Sequence, residues 1–310
     1  MTHHILDAIG NTSLVQLQRV VPPGCARILV KLEWENPTGS MKDRSAQAMI
    51  ARAERDGRLK PGDTVVEYTG GSTGTSLALI CCAKGYRLHI VTSDAFSRDK
   101  RDQMAAYGAE LTLVQSEGGR TTKKLILDMI AAAEAISRRP RTYWTDQLNN
   151  ADSVAGYHAL GEEVWAQTGG RLDAFVQSVG TAASSRGVAQ VLKRRDPSVK
   201  VVAVEPAESA VLGGGPPGPH KIEGVGIGYT PPLWDPGVVD EVVAVGTEEA
   251  KAMARRLARE EALFAGTSSG ANVIAAIRVG ERLGPEATVV TLMVDSGLKY
   301  LGTDVFKTPA

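Results

Sequence analysis

Cysteine is scarce in this chain: Cys25, Cys81 and Cys82 are the only three. An odd count with two adjacent members excludes a disulfide framework. No Cys/His set has the spacing of a metal site, so no metal is expected. Cys81 and Cys82 lie in an Ala/Leu/Ile-rich stretch and read as small buried hydrophobes. A reducing, cytoplasmic setting fits best. Net charge is missing too, since 35 Lys and Arg balance 35 Asp and Glu. That removes any global electrostatic support for nucleic acid or an acidic membrane surface as partner. No apolar run approaches the roughly 20 residues of a membrane helix. The opening Met1-Thr2-His3-His4-Ile5 lacks the basic start and apolar stretch of a signal peptide. Repeats, low-complexity tracts and long linkers are absent as well.

The composition is that of a globular protein, 43% hydrophobic and 23% charged. A length of 310 residues suggests roughly two domains. Strand and helix patterns alternate, which predicts an α/β fold with mainly parallel sheets. In the first half, strands are expected at 27–33, 64–68, 88–92 and 111–115. Helices are expected at 41–56, 73–84, about 97–107 and 121–137. The first helix has an apolar stripe at Met41, Ala46, Met49, Ile50 and Ala53. Gly85 and Gly108 read as helix stops. In the second half, strands are expected at 174–178, 199–205 and 288–294, with helices at 185–194, 248–260 and 270–283. A breaker-rich loop spans 213–219.

Four segments could carry chemistry. In Asn36-Pro37-Thr38-Gly39-Ser40-Met41-Lys42-Asp43-Arg44, Pro37 and Gly39 end a strand. Ser40 with Asp43 three residues on resembles a capping box, which puts Lys42 in a first helical turn. The helix dipole disfavours a cation there and so favours the neutral amine that can attack an aldehyde. Read alone, Lys42 is either that nucleophile or a surface lysine. Thr69-Gly70-Gly71-Ser72-Thr73-Gly74 follows a strand and opens a helix. Exposed backbone N–H groups there suit a carboxylate or phosphate, although a plain tight turn has the same appearance. Gly180-Thr181-Ala182-Ala183-Ser184 has the same setting and the same two readings. Ser268, in Gly266-Thr267-Ser268-Ser269-Gly270-Ala271, reads locally as a helix N-cap. Gly224-x-Gly226-x-Gly228 is a decoy for a dinucleotide fingerprint, because Tyr229-Thr230-Pro231-Pro232 allows no helix to start there.

Taken together, these segments resemble the cysteine synthase family, that is, the O-acetylserine sulfhydrylases and the cystathionine β-synthase core. These are fold type II pyridoxal-phosphate enzymes, related to tryptophan synthase β. Asn36 to Arg44 is similar to the family's Asn-Pro-x-Gly-Ser-x-Lys-Asp-Arg. Asn11-Thr12-Ser13-Leu14-Val15-Gln16-Leu17 looks like its opening Asn-Thr-Pro-Leu-Val-x-Leu, with Ser13 in place of proline. Gly218-Pro219-His220-Lys221-Ile222-Glu223-Gly224 is close to Gly-Pro-His-Lys-Ile-Gln-Gly. Asp295-Ser296-Gly297 with Tyr300-Leu301 resembles its C-terminal segment.

The resemblance implies two open, twisted, mainly parallel sheets flanked by helices, with the cofactor in the cleft between two domains. Residues 1–39 with 146–310 would form the larger, cofactor-binding domain. Residues 40–145 would form a smaller, mobile domain that clamps substrate. Pyridoxal 5′-phosphate is the implied cofactor, with Lys42 as its Schiff-base residue and general base. Gly180, Thr181, Ala182, Ala183 and Ser184 align with the phosphate cup, and Ser268 with the hydroxyl on the pyridine nitrogen. Thr69, Gly70, Gly71, Thr73 and Gln147 align with the substrate-carboxylate loop. Ser72 takes the place of an asparagine that touches the cofactor's ring oxygen, and Gly70 that of a serine.

The implied reaction is β-replacement on an O-activated L-serine, O-acetylserine or O-phosphoserine. It passes through an aminoacrylate to L-cysteine or a cysteine-like amino acid. The partners are then the amino acid, a small nucleophile and a second copy in a homodimer. Two other readings remain. One is a serine/threonine deaminase or racemase of the same fold, against which His220 to Gly224 argues. The other is a non-catalytic binding protein that keeps the fold, against which Lys42 argues.

Overall fold

The computed structural model describes residues 4–119 and 122–307. In chain order, β1 (Leu14–Gln16) and β2 (Arg27–Leu32) precede α1 (Lys42–Arg55). Then β3 (Thr64–Tyr68), α2 (Ser72–Lys84), β4 (Arg87–Ser93), α3 (Arg98–Ala106) and β5 (Glu110–Val114) alternate. Next come α4 (Lys123–Ser137), β6 (Thr142–Trp144), the short α5 (Asp152–Ala155) and α6 (His158–Gln167). The remainder is β7 (Ala174–Ser178), α7 (Ala183–Arg195), β8 (Lys200–Pro206), β9 (Glu241–Val245), α8 (Thr247–Glu260), α9 (Thr267–Leu283) and β10 (Thr288–Met293). Residue 121, where one expected helix was to begin, lies outside the described residues.

The chain divides into two compact units, residues 1–9 with 42–156 and residues 10–41 with 157–310. Among the described residues, 4–9 thus cluster with the smaller unit. That unit is built on a four-stranded, all-parallel sheet of order β5-β4-β3-β6. One face carries Val65 under α1 and α2, in a core with Ala46, Ile50, Ala53, Leu77 and Ile80. The other carries Val66 and Tyr68 under α4, against Leu125 and Met129. The expected stripe of α1 is buried, and so is Met41 just before it. Gly85 closes α2 in the left-handed conformation, its N–H bonded to the Cys81 and Cys82 carbonyls. Glycine adopts this conformation without steric cost.

The larger unit holds a six-stranded sheet of order β1-β2-β10-β7-β8-β9, parallel except for the β1–β2 pair. Its central strands read as continuous apolar runs because helices cover both faces of a parallel sheet. Strand β10 is buried at every residue.

Two expectations need correction. Cys82 is exposed while Cys81 is buried, because one helical step turns a side chain by about 100° and only one of the pair can face the core. The short elements β1, β6, β9, α5 and α6 were not anticipated. Three-residue strands carry too little periodicity to be read. In α6, Gly161 weakens the helical signal, and its role is tertiary. A side chain there would lie 2.7 Å from Val191 Cβ, so glycine lets α6 approach α7 closely.

Candidate active site

In an open α/β sheet, ligands gather beyond the carboxyl ends of the strands, where successive connections leave in opposite directions. Each sheet has one such switch point. In the smaller unit it lies between β3 and β6. The loops that follow these strands are 69–71, one of the segments singled out in the sequence, and the segment containing Gln147, a residue named there through the family resemblance.

Short hydrogen bonds tie these two loops down locally. Thr69 is buried, and its Oγ1 accepts the Gly71 N–H at 3.0 Å. Gly71, with φ 157° and ψ −87°, caps α2, a conformation open only to glycine. Thr73, in the first turn of α2, donates its hydroxyl to Gln147 Oε1 at 2.7 Å. Gln147 Nε2 donates to the Tyr68 carbonyl at 3.1 Å. The structure therefore bonds Thr69 to Gly71 and Thr73 to Gln147 at the same switch point. Ser72 is the first residue of α2 and half-buried.

Glycine at position 70 also has a local cause. A Cβ built there would lie 2.7 and 2.9 Å from ring atoms of Phe96, below any real contact distance. The serine usual in the resembling family is thus replaced by an aromatic ring pressed on the loop. The missing hydroxyl is legible in the sequence, whereas the ring 26 positions later that takes its space is not.

Lys42 is the first residue of α1. Ser45 Oγ donates to the Lys42 carbonyl at 3.0 Å and ties down the first turn. Beneath the Gln147 segment lies a residue that the sequence did not mark, Glu67 of β3. It is fully buried, and that burial drives its pKa up to about 7 against the opposing pull of its hydrogen bonds. It accepts from Thr145 Oγ1 (2.7 Å), Gln147 N (2.9 Å) and Tyr68 N (2.9 Å). Only the alternation of β3, which puts a carboxylate on an inward position, could have flagged it.

In the larger unit the switch point lies between β7 and β10. Strand β7 ends at Ser178, and 179–182 lead into α7. Ala182 sits at φ 67°, the left-handed region, as N-cap of α7. Ala183 N–H reaches Thr181 Oγ1 at 3.4 Å, and Gln177 Nε2 donates to Ser184 Oγ. Gly180 leaves no room for a side chain, because a Cβ would strike the Gly224 carbonyl oxygen. Ser178 Oγ and Gln177 Oε1 are buried without a hydrogen-bond partner. Such orphans are uncommon and call for a group to satisfy them. The Ser178 hydroxyl can donate to an anion, whereas the Gln177 amide oxygen can only accept and needs a donor from elsewhere. With the N–H groups and positive end of a 13-residue helix, the Ser178 hydroxyl and this loop fit a phosphate. The residues present therefore suit the cofactor implied by the resemblance.

Helix α9 begins earlier than expected, at Thr267 with Gly266 as N-cap. Ser268 is accordingly not the cap but a buried first-turn residue. Next to it, Ser269 Oγ accepts the Val294 N–H at 2.9 Å, which joins α9 to the end of β10. The Gly224–Gly228 segment opens no helix, so the decoy reading of a dinucleotide site falls away. Among the described residues no group of His, Cys, Asp and Glu is arranged to hold a metal, and no helix is long and apolar enough to cross a membrane.

The left-handed alanine permits a stability prediction. A Cβ in this conformation costs roughly 1–2 kcal/mol, and the looser unfolded chain of a glycine variant offsets about 0.4–1 kcal/mol. Ala182→Gly is therefore expected to stabilise the protein, raising the thermal midpoint by about 1–4 °C. Calorimetry checks this, and a lowered midpoint would refute the strain argument.

Two units with mainly parallel sheets, each with a strand–loop–helix suited to an anion at its switch point, point to an α/β enzyme of the cofactor-binding kind. The family described as pyridoxal-phosphate dependent enzyme matches residues 5–295, and the chain belongs to that family. It is 41% identical to cysteine synthase of Staphylococcus aureus over 305 residues, covering 98% of this chain and 96% of that protein. The crystal structure of a cysteine synthase from Entamoeba histolytica superposes with a TM-score of 0.92 at 36% identity, over 100% of this chain and 92% of that one. An O-acetylserine-dependent cystathionine β-synthase from Helicobacter pylori gives a TM-score of 0.92 at 32% identity, with 99% of both chains covered.

Proposed function

We propose that this protein catalyses pyridoxal-phosphate-dependent β-replacement on an O-activated L-serine, giving L-cysteine or a cysteine-like amino acid. The observation that carries the reading is the Thr73–Gln147 hydrogen bond beside the Thr69–Gly71 turn at the switch point of the smaller sheet, a strand–loop–helix setting that suits an amino acid's carboxylate. When bound, pyridoxal phosphate supplies an electron sink for the bonds at the substrate's α-carbon.

The chain supplies the rest. Lys42 Nζ carries the cofactor and moves the α-proton as general base and then acid. Gly180 to Ser184 hold the phosphate through backbone N–H groups and the hydroxyls of Thr181 and Ser184. Ser268 meets the ring nitrogen as a neutral hydroxyl. It leaves the ring a moderate sink, which favours departure of a β-substituent over chemistry that needs a long-lived carbanion. Ser72 lies against the cofactor's ring oxygen. Thr69, Gly70, Gly71, Thr73 and Gln147 bind the substrate carboxylate. The protein works as a cytoplasmic homodimer, and sedimentation at micromolar concentration checks the dimer.

The test is a matrix of O-acetyl-L-serine and O-phospho-L-serine against sulfide, thiosulfate, nitrogen nucleophiles and larger thiols, with products read by mass. A substituted alanine from at least one pairing is expected. Pyruvate and ammonia without any replacement product would overturn the reading in favour of a deaminase. No response to any amino acid would favour a binding protein.

A further inference from the structure

We propose that Glu67 is a positioning residue whose protonation state sets the geometry of the substrate-carboxylate clamp. This rests on the assignment of Thr73 and Gln147 to that clamp. Three features carry it. First, Glu67 holds the Gln147 backbone directly, through Gln147 N–H to Oε2 at 2.9 Å. The same residue's side chain meets the Thr73 hydroxyl at 2.7 Å. Secondly, every hydrogen bond recorded on the carboxylate comes from a donor: Tyr68 N–H on Oε1, and Thr145 O–H and Gln147 N–H on Oε2. The ionised form satisfies all three. Thirdly, a protonated form has somewhere to put its proton. Thr145 Oγ1 also lies 3.3 Å from the Val66 carbonyl. Its hydroxyl can turn to that carbonyl and accept a proton bonded to Oε2. The oxygen that held Gln147 N–H then becomes a donor, and its hold on Gln147 weakens.

The surroundings of Glu67 make this change reachable near neutrality. By alternation Glu67 shares a face with Val65, under α1 and α2. Helix α1 brings buried Asp43 and Arg44 in its first turn, whereas α2 has no ionisable side chain before Cys81. Strand β4 places Ile90 opposite Glu67, next to His89. Strand β6 brings Tyr143, and the loop after it Asp146. The charges of α4 on the other face, Lys124, Asp128 and Glu134, point outward. Burial is the largest influence and the Asp146 charge adds to it, so the carboxyl titrates at about 7. The sign follows: Glu67 is mainly neutral below pH 7 and ionised above it, so the clamp is fully assembled on the alkaline side.

The test uses holoenzyme and L-serine as a probe that lacks an activated leaving group, with binding read from the cofactor absorbance. Wild-type affinity is expected to rise on going from pH 6 to pH 8. Glu67→Gln stays neutral and should lose that step, binding about 10- to 100-fold more weakly at pH 8, the worth of a hydrogen bond to a charged group. At saturating amino acid its kcat should change much less than its KM. Thr145→Val removes one donor that favours the ionised form, so the midpoint should move to higher pH. That variant also serves if Glu67→Gln does not fold.

Thr73→Ala separates the two ideas. If it binds L-serine normally, the clamp assignment fails. If it binds weakly while Glu67→Gln keeps the wild-type pH profile, or Thr145→Val leaves the midpoint in place, the role of Glu67 is refuted.

Discussion

Replacement of Lys42 by alanine is expected to lower turnover by at least about 10²–10⁴-fold, the usual contribution of a positioned proton-transfer group. Loss of the covalent link to the cofactor adds to this. The fold should survive, because Lys42 is the first residue of α1 and only half-buried. Its truncation therefore opens no core cavity. The wild-type protein should be yellow, and borohydride should fix the cofactor to the peptide that contains Lys42. The variant should yield no fixed label. The structure argues against the nearest rival in sequence: Lys31 is buried and engaged by Glu163 at 2.7 Å and by the Thr12 carbonyl. Recovery of label on Lys31 or Lys221, or near-normal turnover of the alanine variant, would remove Lys42 from the mechanism.

Thr73→Ala is expected to weaken amino-acid binding by roughly 10- to 100-fold, the equivalent of about 1.5–3 kcal/mol for a hydrogen bond to a charged group. The cofactor should stay in place. Thr73 is buried and its hydroxyl holds Gln147, so the change removes one donor and frees another to wander. Ser72→Asn should behave oppositely, shifting the cofactor absorbance more than the amino-acid affinity. Titration of both variants with L-serine, followed in the cofactor band, distinguishes the roles. Normal binding by the Thr73 variant, or a Ser72 effect confined to the substrate, would show that the two assignments are wrong.

Much of the candidate site could be placed on its strands, loops and helix starts from the chain alone, since its segments are punctuated by local chemistry. Pro37 and Gly39 end a strand before Lys42, and the glycines of 69–74 mark a strand-to-helix turn. Both readings need only a few neighbouring residues. The segment around Lys42 and the order of the other segments also sufficed for the family. Helix starts were less legible. Ala182 and Ala183 do not announce a cap, and α7 begins at Ala183 only because Ala182 is held at φ 67°, a conformation that alanine seldom adopts.

The sequence by itself thus determined the alternation of strands and helices, the lysine at the start of α1 and the loops suited to anions. All of these follow from backbone preferences over a handful of residues. Tertiary structure alone decided the pairing of Thr73 with Gln147, 74 positions apart, the ring of Phe96 against Gly70, and the burial of Glu67 beneath the Gln147 segment. Their common cause is strand order. Because β6 lies beside β3 and not next to β5, two loops far apart in the chain end at the same edge, and no local pattern encodes that neighbourhood.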